Sequence, residues 1–227
     1  MQRSIGRTCG SLTVEKSESV ITPKKKITTS IENIVASVVL NQRFDLVEIA
    51  ATMPNVEFDP ETFPGLVYRL KKPKTATLIF TTGKMVCTGA KSVKESRRAV
   101  HKIVKNLNKA GIRITGTPEI TIQNIVASGG LGFPVDLERL VMTLENCIYE
   151  PEQFPGLIHR MKDPKTVILV FGSGKIVITG AKLEEQIPEA AMKLMNRVLD
   201  LESMWRPDVI RNDLRDRGLL GGESVGH

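Results

Sequence analysis

Aromatic residues are scarce in this 227-residue chain, 4% in all, so each phenylalanine asks for an explanation. Cysteine is scarcer still. Cys9, Cys87 and Cys147 are odd in number and never spaced CxxC, which argues against a disulfide framework and a zinc site and fits a reducing compartment. No apolar run reaches the roughly 18 residues that a membrane span needs, and the N-terminus lacks the apolar centre of a signal peptide. The expectation is a soluble, intracellular protein. Histidine is limited to His101, His159 and His227, and neither of the first two has a histidine counterpart in the duplication described below. No nucleophile elbow, phosphate loop or metal-ligand cluster is present. GSGK at 172–175 and TTGK at 81–84 lack the leading glycine and the following Ser or Thr of a phosphate loop and read as strand turns. No enzymatic activity, metal or cofactor is therefore expected.

What the chain does have is 41% hydrophobic residues and a mean hydropathy of −0.07, enough for a full core. It also carries a formal charge of +7 and a pI near 9.4, which suit a polyanionic partner. Its main feature is a duplication. Residues 63–91, FPGLVYRLKKPKTATLIFTTGKMVCTGAK, return without a gap as FPGLIHRMKDPKTVILVFGSGKIVITGAK at 154–182. Extended upstream to Ile31 against Ile122, the two copies share 31 of 61 positions at a spacing of 91. Two copies of this length are too few and too long for a stacked solenoid, whose units run about 20 to 50 residues. They read as half-domains related by an internal pseudo-two-fold, so the partner should be long, roughly symmetric and touched twice.

Taken in order, residues 1–27 lack periodicity and read as a disordered tail. From Thr28 a strand is expected, with Ile34, Ala36 and Val38 on one face and Asn33, Val35 and Ser37 on the other. Asp45, and Asp136 in the second copy, should cap short helices. Four short strands then follow, near 55–59, 65–71, 75–80 and 84–88, as an antiparallel meander. The pattern Ser92-x-x-Glu95 opens a long helix that ends before Gly111, and its counterpart carries Pro188 in its first turn. Gly129 and Gly130, standing where the first copy has Val38 and Val39, should loosen the end of their strand.

Such a sheet buries one face under its helices. Met85 and Cys87, with Ile176 and Ile178, mark the buried side. The other side receives Lys84, Val86 and Thr88 with Lys175, Val177 and Thr179, and Asn33, Val35 and Ser37 with Asn124, Val126 and Ser128. This open face is apolar and hydroxyl-rich where a solvated one would carry Lys and Glu, and such patches bind something. Alternation leaves one strand undecided. Leu78 and Phe80 share a face there, as do Leu169 and Phe171, but periodicity does not say whether that face or the one holding Ile79 and Val170 is core.

QNIVAS, FPGL, the P-K-T…F…SGK…TGAK series and the 91-residue duplication closely resemble the TATA-box-binding protein family, general transcription factors of archaea and eukaryotes. The resemblance covers about 28–203, and the FPG triplets and the lack of a long glutamine-rich leader are similar to the archaeal type. It implies an α+β saddle, a pseudo-two-fold curved ten-stranded antiparallel sheet with four helices on the convex side, each half β-α-β-β-β-β-α. The repeats would be 28–114 and 115–205, between tails at 1–27 and 206–227. It implies binding to the minor groove of TATA promoter DNA. Phe63 with Phe80, and Phe154 with Phe171, would insert into base steps, supported by Leu78 and Leu169. Asn33, Val35, Val86, Thr88, Asn124, Val126, Val177 and Thr179 would read the groove. Arg69, Lys84, Arg160 and Lys175, basic residues that recur at matching positions, would contact phosphates. Glu150 and Glu152 would meet transcription factor B, and RNA polymerase would follow. The resemblance further implies a cytoplasmic, nucleoid-associated protein if archaeal and a nuclear one if eukaryotic, and the exposed sheet is open to pairing of two free copies. A sheet-based RNA-binding module, the rival binding class, would need exposed mid-strand aromatics and the RNP pattern, which are absent.

Overall fold

The structure is a computed structural model that describes residues 27–205, with side chains described to Leu201; apart from Ile27, the expected tails lie outside the described residues. The first half runs β1 (Thr29–Val39), α1 (Leu46–Thr52), β2 (Val56–Glu57), β3 (Leu66–Leu70), β4 (Thr75–Ile79), β5 (Lys84–Ala90) and α2 (Val93–Lys109). The second repeats it as β6 (Glu119–Gly130), α3 (Leu137–Thr143), β7 (Cys147–Ile148), β8 (Gly156–Met161), β9 (Thr166–Phe171), β10 (Lys175–Ala181) and α4 (Gln186–Trp205). All ten strands form one curved antiparallel sheet in the order β2-β3-β4-β5-β1-β6-β10-β9-β8-β7.

The two halves meet where β1 pairs β6, with Asn33 opposite Val126, Ile34 opposite Ile125 and Val35 opposite Asn124. Ile34 and Ile125 are equivalent residues, so the pseudo-two-fold passes through their pair. Both are fully buried.

The local signals act through named hydrogen bonds. Asp45 caps α1 by accepting from the Val47 and Glu48 amides at 2.9 and 3.2 Å, and Asp136 caps α3 by accepting from the Arg139 amide. Ser92 accepts from the Glu95 amide at 3.1 Å, while the Glu95 carboxylate accepts from the Lys91 amide at 2.7 Å. The expected capping box thus reaches one residue further back. Ala99, Val100, Ile103 and Leu107 form the buried stripe of α2, and Gly111, at φ +92°, ends it in the left-handed region that glycine enters freely. In the second half Ala191, Met195 and Val198 of α4 are buried against Ile176 and Ile178 in a core of their own.

The expected loosening at Gly129 and Gly130 does not occur. β6 is a residue longer than β1 and runs through both glycines, which pair with Ile176 and Lys175. A Cβ at Gly129 would lie 3.1 Å from the Thr29 Cγ2 methyl and 3.3 Å from the Thr28 carbonyl, so glycine lets the start of β1 close onto the ladder.

Candidate nucleic-acid interface

Alternation along the inner strands sorts the side chains onto two faces. Ile34, Ala36, Met85, Cys87, Ile125, Ala127, Ile176 and Ile178 are buried, whereas Val35, Val86, Val126 and Val177 on the other face are only partly covered. The structure settles the undecided strand as well. Ile79 and Val170 are fully buried, so Leu78, Phe80, Leu169 and Phe171 lie on the helix-free side. Cross-strand pairing lines up Val67, Leu78, Val86 and Ser37 in one half and Ile158, Leu169, Val177 and Ser128 in the other. Val67 and Ile158 are additions to the set read from the sequence. Their signal was the burial of Leu66 and Leu157 one residue before them, legible only once the strand is placed against its neighbours.

An aromatic pair sits toward each end of this face. Phe63 and Phe80 meet edge to face with ring centroids 5.9 Å apart, and Phe154 and Phe171 do the same at 5.8 Å. Each pair rests over the glycine of an FPG triplet. A Cβ on Gly65 would come within 2.6 Å of Phe63 Cε1 and 2.9 Å of Phe80 Cε1, and one on Gly156 within 2.7 and 3.1 Å of Phe154 and Phe171. The triplet therefore supplies a ring and the hole in which the ring sits.

The centre is polar and internally braced. Asn33 Oδ1 accepts from the Gly89 amide at 2.7 Å and from Thr88 Oγ1 at 3.1 Å. Asn124 Oδ1 accepts from the Gly180 amide at 2.7 Å and contacts Thr179 Oγ1. With the acceptor end of each amide occupied by a backbone N–H, the NH2 end faces outward to donate, although that of Asn124 also reaches Thr179 Oγ1 at 3.2 Å. Two further residues join the centre. Gln123 Nε2 donates to Ser37 Oγ at 2.7 Å, and at the equivalent place Ser128 Oγ donates to Glu32 at 2.7 Å.

Lys84, Lys175, Arg69 and Arg160 are exposed. Arg69 is engaged by both oxygens of Glu57 through Nε at 3.2 Å and Nη2 at 3.3 Å, a bond that raises its already high pKa. The repeats are also unequal in total charge. Residues 28–114 hold fourteen Lys and Arg against seven Asp and Glu, whereas 115–205 hold eight against twelve. Glu150 and Glu152 are exposed in the turn ahead of Phe154. In the first repeat Asp59 stands at the position of Glu150, and its carboxylate is tied into its own turn, accepting from Thr62 Oγ1 at 2.7 Å and the Glu61 amide at 3.2 Å. That bonding draws the Asp59 pKa below the usual carboxylate range.

One contact imitates a catalytic pair. Cys147 Sγ lies 3.4 Å from His159 Nδ1, but that nitrogen also faces the Glu145 carbonyl at 3.1 Å. Burial pushes the thiol up to about 11 and the imidazole below its ordinary value, so at neutral pH both are uncharged and no thiolate forms. Among the described residues no group of three His, Cys, Asp or Glu side chains could hold a metal ion, and no helix is long and apolar enough to cross a membrane. GSGK and TTGK form the β9–β10 and β4–β5 turns.

Residues 28–110 and 119–201 match the family described as transcription factor TFIID (or TATA-binding protein, TBP). The TATA-box-binding protein of Pyrodictium occultum is 54% identical over 195 residues, 82% of this chain and 98% of that one. That of Sulfurisphaera tokodaii is 52% identical over 177 residues, covering 78% and 89%. Among solved structures, Methanococcus jannaschii TBP aligns with a TM-score of 0.69 at 48% identity, covering 76% of this chain and 98% of that chain.

Proposed function

Because the chain belongs to the TATA-binding protein family, a family of DNA-binding transcription factors rather than enzymes, we propose that it initiates transcription by seating its helix-free face in the minor groove of TATA promoter DNA. The observation that carries this reading is the face itself, an apolar strip with donor amides at its centre and an aromatic pair toward each end. At A·T pairs the minor groove shows only acceptors, whereas G·C adds a protruding amino donor. Val35, Val86, Val126 and Val177 pack on a floor without that amino group. Asn33 and Asn124 donate to A N3 or T O2, with Thr88 and Thr179 beside them.

Phe63 with Phe80, and Phe154 with Phe171, enter base steps and kink the duplex, with Leu78 and Leu169 packed behind them. Wedge insertion, of which this family is itself an established example, costs roughly a few kcal/mol per step and is offset by the surface the bent duplex brings into contact. TA steps unstack most cheaply, so deformability adds to the preference for A·T. Lys84, Lys175 and Arg160 hold the flanking phosphates, and Arg69, already paired with Glu57, adds a weaker contact.

A gel shift comparing a TATA duplex, a GC duplex and single-stranded RNA tests the reading. Retention of the TATA duplex alone is expected. Preference for the RNA would return the protein to the class of sheet-based RNA binders, although its open-face aromatics lie at strand ends rather than at mid-strand.

A nearly symmetric saddle on a directional promoter needs a partner to fix its direction, and that partner is transcription factor B, followed by RNA polymerase. Glu61 matches Glu152, so charge at that pair does not distinguish the ends, but Asp59 is consumed by its turn and Glu150 has no such bond among the described residues. The free acidic turn ahead of Phe154 is the docking point. A Glu150→Arg, Glu152→Arg variant should bind factor B on TATA DNA about tenfold more weakly or worse while binding the DNA alone undiminished. Recruitment equal to wild type in a supershift assay would remove the assignment.

A further inference from the structure

The internal duplication gives each rim cation a control in the other repeat, and the two sets are held differently. Arg69 is paired with Glu57, whereas the position equivalent to Glu57 is Ile148, and Arg160 has no ion pair among the described residues. The same exchange recurs nearer the centre. Lys91 Nζ reaches Glu32 Oε2 at 3.3 Å, whereas the equivalent of Glu32 is Gln123, and Lys182 has no ion pair among the described residues. Glu32 is held on the open face by Ser128 Oγ at 2.7 Å, where Gln123 makes the matching bond to Ser37 with no charge. Both acids belong to the repeat with the larger positive total.

We infer that Glu57 and Glu32 give the saddle an intrinsic polarity by neutralising Arg69 and Lys91, so that the second repeat, despite its acidic total, grips phosphates more firmly than the first. This rests on the minor-groove reading above. A phosphate approaching Arg69 meets a guanidinium with two of its five N–H donors already given to a carboxylate beside it. One approaching Arg160 meets a cation with no ion pair among the described residues and with Ile148 at the position of Glu57. A two-fold saddle can sit on a TATA element in two directions with nearly the same base contacts. On an element whose two ends deform unequally, unequal phosphate grip makes those directions inequivalent before any second protein arrives.

The test exchanges each acid for the residue found at its equivalent position. Binding of a fluorescent TATA duplex is followed by anisotropy across a salt series for wild type, Glu57→Ile, Glu32→Gln, the double variant, the reverse variants Ile148→Glu and Gln123→Glu, and Arg160→Ala. Because the pairs are exposed, each unmasking should tighten binding only about two- to five-fold at low salt. It should steepen the slope of log affinity against log salt by up to about one. The reverse exchanges should flatten that slope, and Arg69→Ala should cost little in wild type but about one unit of slope in the Glu57→Ile background. Unchanged melting temperatures are the check that the exchanges act on binding alone.

Flattening by Arg160→Ala, with no change from Glu57→Ile or Glu32→Gln, overturns the polarity and leaves the DNA reading standing. Weaker binding by Glu57→Ile overturns it too, because Glu57 would then be orienting Arg69 toward phosphate. Failure of wild type to bind the duplex removes the DNA reading and the polarity with it, whereas a salt slope untouched by Arg160→Ala in a wild type that binds overturns the polarity alone.

Discussion

Phe154→Ala is expected to leave the fold intact and to remove about half of the DNA bend, since two wedge pairs share it. The ring stands outside both hydrophobic cores, partly exposed over Gly156, and its main side-chain partner is Phe171 at 5.8 Å. Losing that edge-to-face contact costs about 0.5–1.5 kcal/mol of stability, too little to unfold a sheet whose ladders do not involve residue 154. On DNA the same ring is an anchor inserted between bases. Truncating an aromatic anchor costs about 2–4 kcal/mol, roughly a 30- to 1000-fold loss of affinity. Energy transfer between dyes at the two ends of a TATA duplex should fall toward that of the unbound duplex, and Phe171→Ala should reproduce the effect. A bend equal to wild type at saturating protein would show that the rings are surface packing and not levers.

How much of this was legible beforehand follows from which residues carry period and which carry geometry. The 91-residue repeat gave the two halves and the element order, and strict alternation along β1, β5, β6 and β10 sorted Asn33, Val35, Val86 and Val126 from the core. Alternation was silent on β4 and β9 because both faces of β9 are largely apolar, while β4 buries Thr75 and Thr77 beside Ile79 and turns Ala76 and Leu78 outward, so its more polar face is the core one. The outward side of β4 was decided by the partners of Ile79, which lie on strands and helices distant in sequence. The family resemblance named Phe80 and Phe171, and geometry then set them on the open face. The polarity of the rim was invisible for another reason. Glu57 and Arg69 are 12 residues apart and Glu32 and Lys91 are 59 apart, so pairing them needs the register of β2 on β3 and the course of β1 beside β5. The glycines at 129 and 130 misled because a missing side chain reads as weakness along one strand, whereas here it makes room for another.

Gly174→Ala should destabilise the protein by about 3 kcal/mol or more, among the largest stability effects expected of so small a change. Gly174 sits at φ +80° in the turn between β9 and β10, a conformation that costs a residue with a Cβ roughly 1–2 kcal/mol. Space adds to strain. A Cβ there would lie 1.9 Å from the Phe133 carbonyl oxygen and 2.9 Å from its carbon, and these are backbone atoms that cannot rotate away. The clash falls on the segment leading to α3, because the Gly174 carbonyl accepts from the Leu131 amide at 2.8 Å while the Gly174 amide donates to Phe171 at 2.8 Å. Gly83 repeats the arrangement, with the Gln42 and Leu40 carbonyl oxygens 2.1 and 2.2 Å from its would-be Cβ. The turn that superficially resembles a phosphate loop is thus a seat for neighbouring backbone, and it fixes Phe171 on one side and Lys175 on the other. For a domain of this size each kcal/mol moves the midpoint about 2–4 °C, so thermal unfolding should fall by roughly 6–12 °C. Lys175→Ala, one residue on, is the contrasting case. It should melt with wild type while flattening the salt dependence of DNA binding by about one unit of slope. If Gly174→Ala melted within about 2 °C of wild type, the backbone seat would not be the reason for glycine there, and the turn would be open to a role in ligand contact after all.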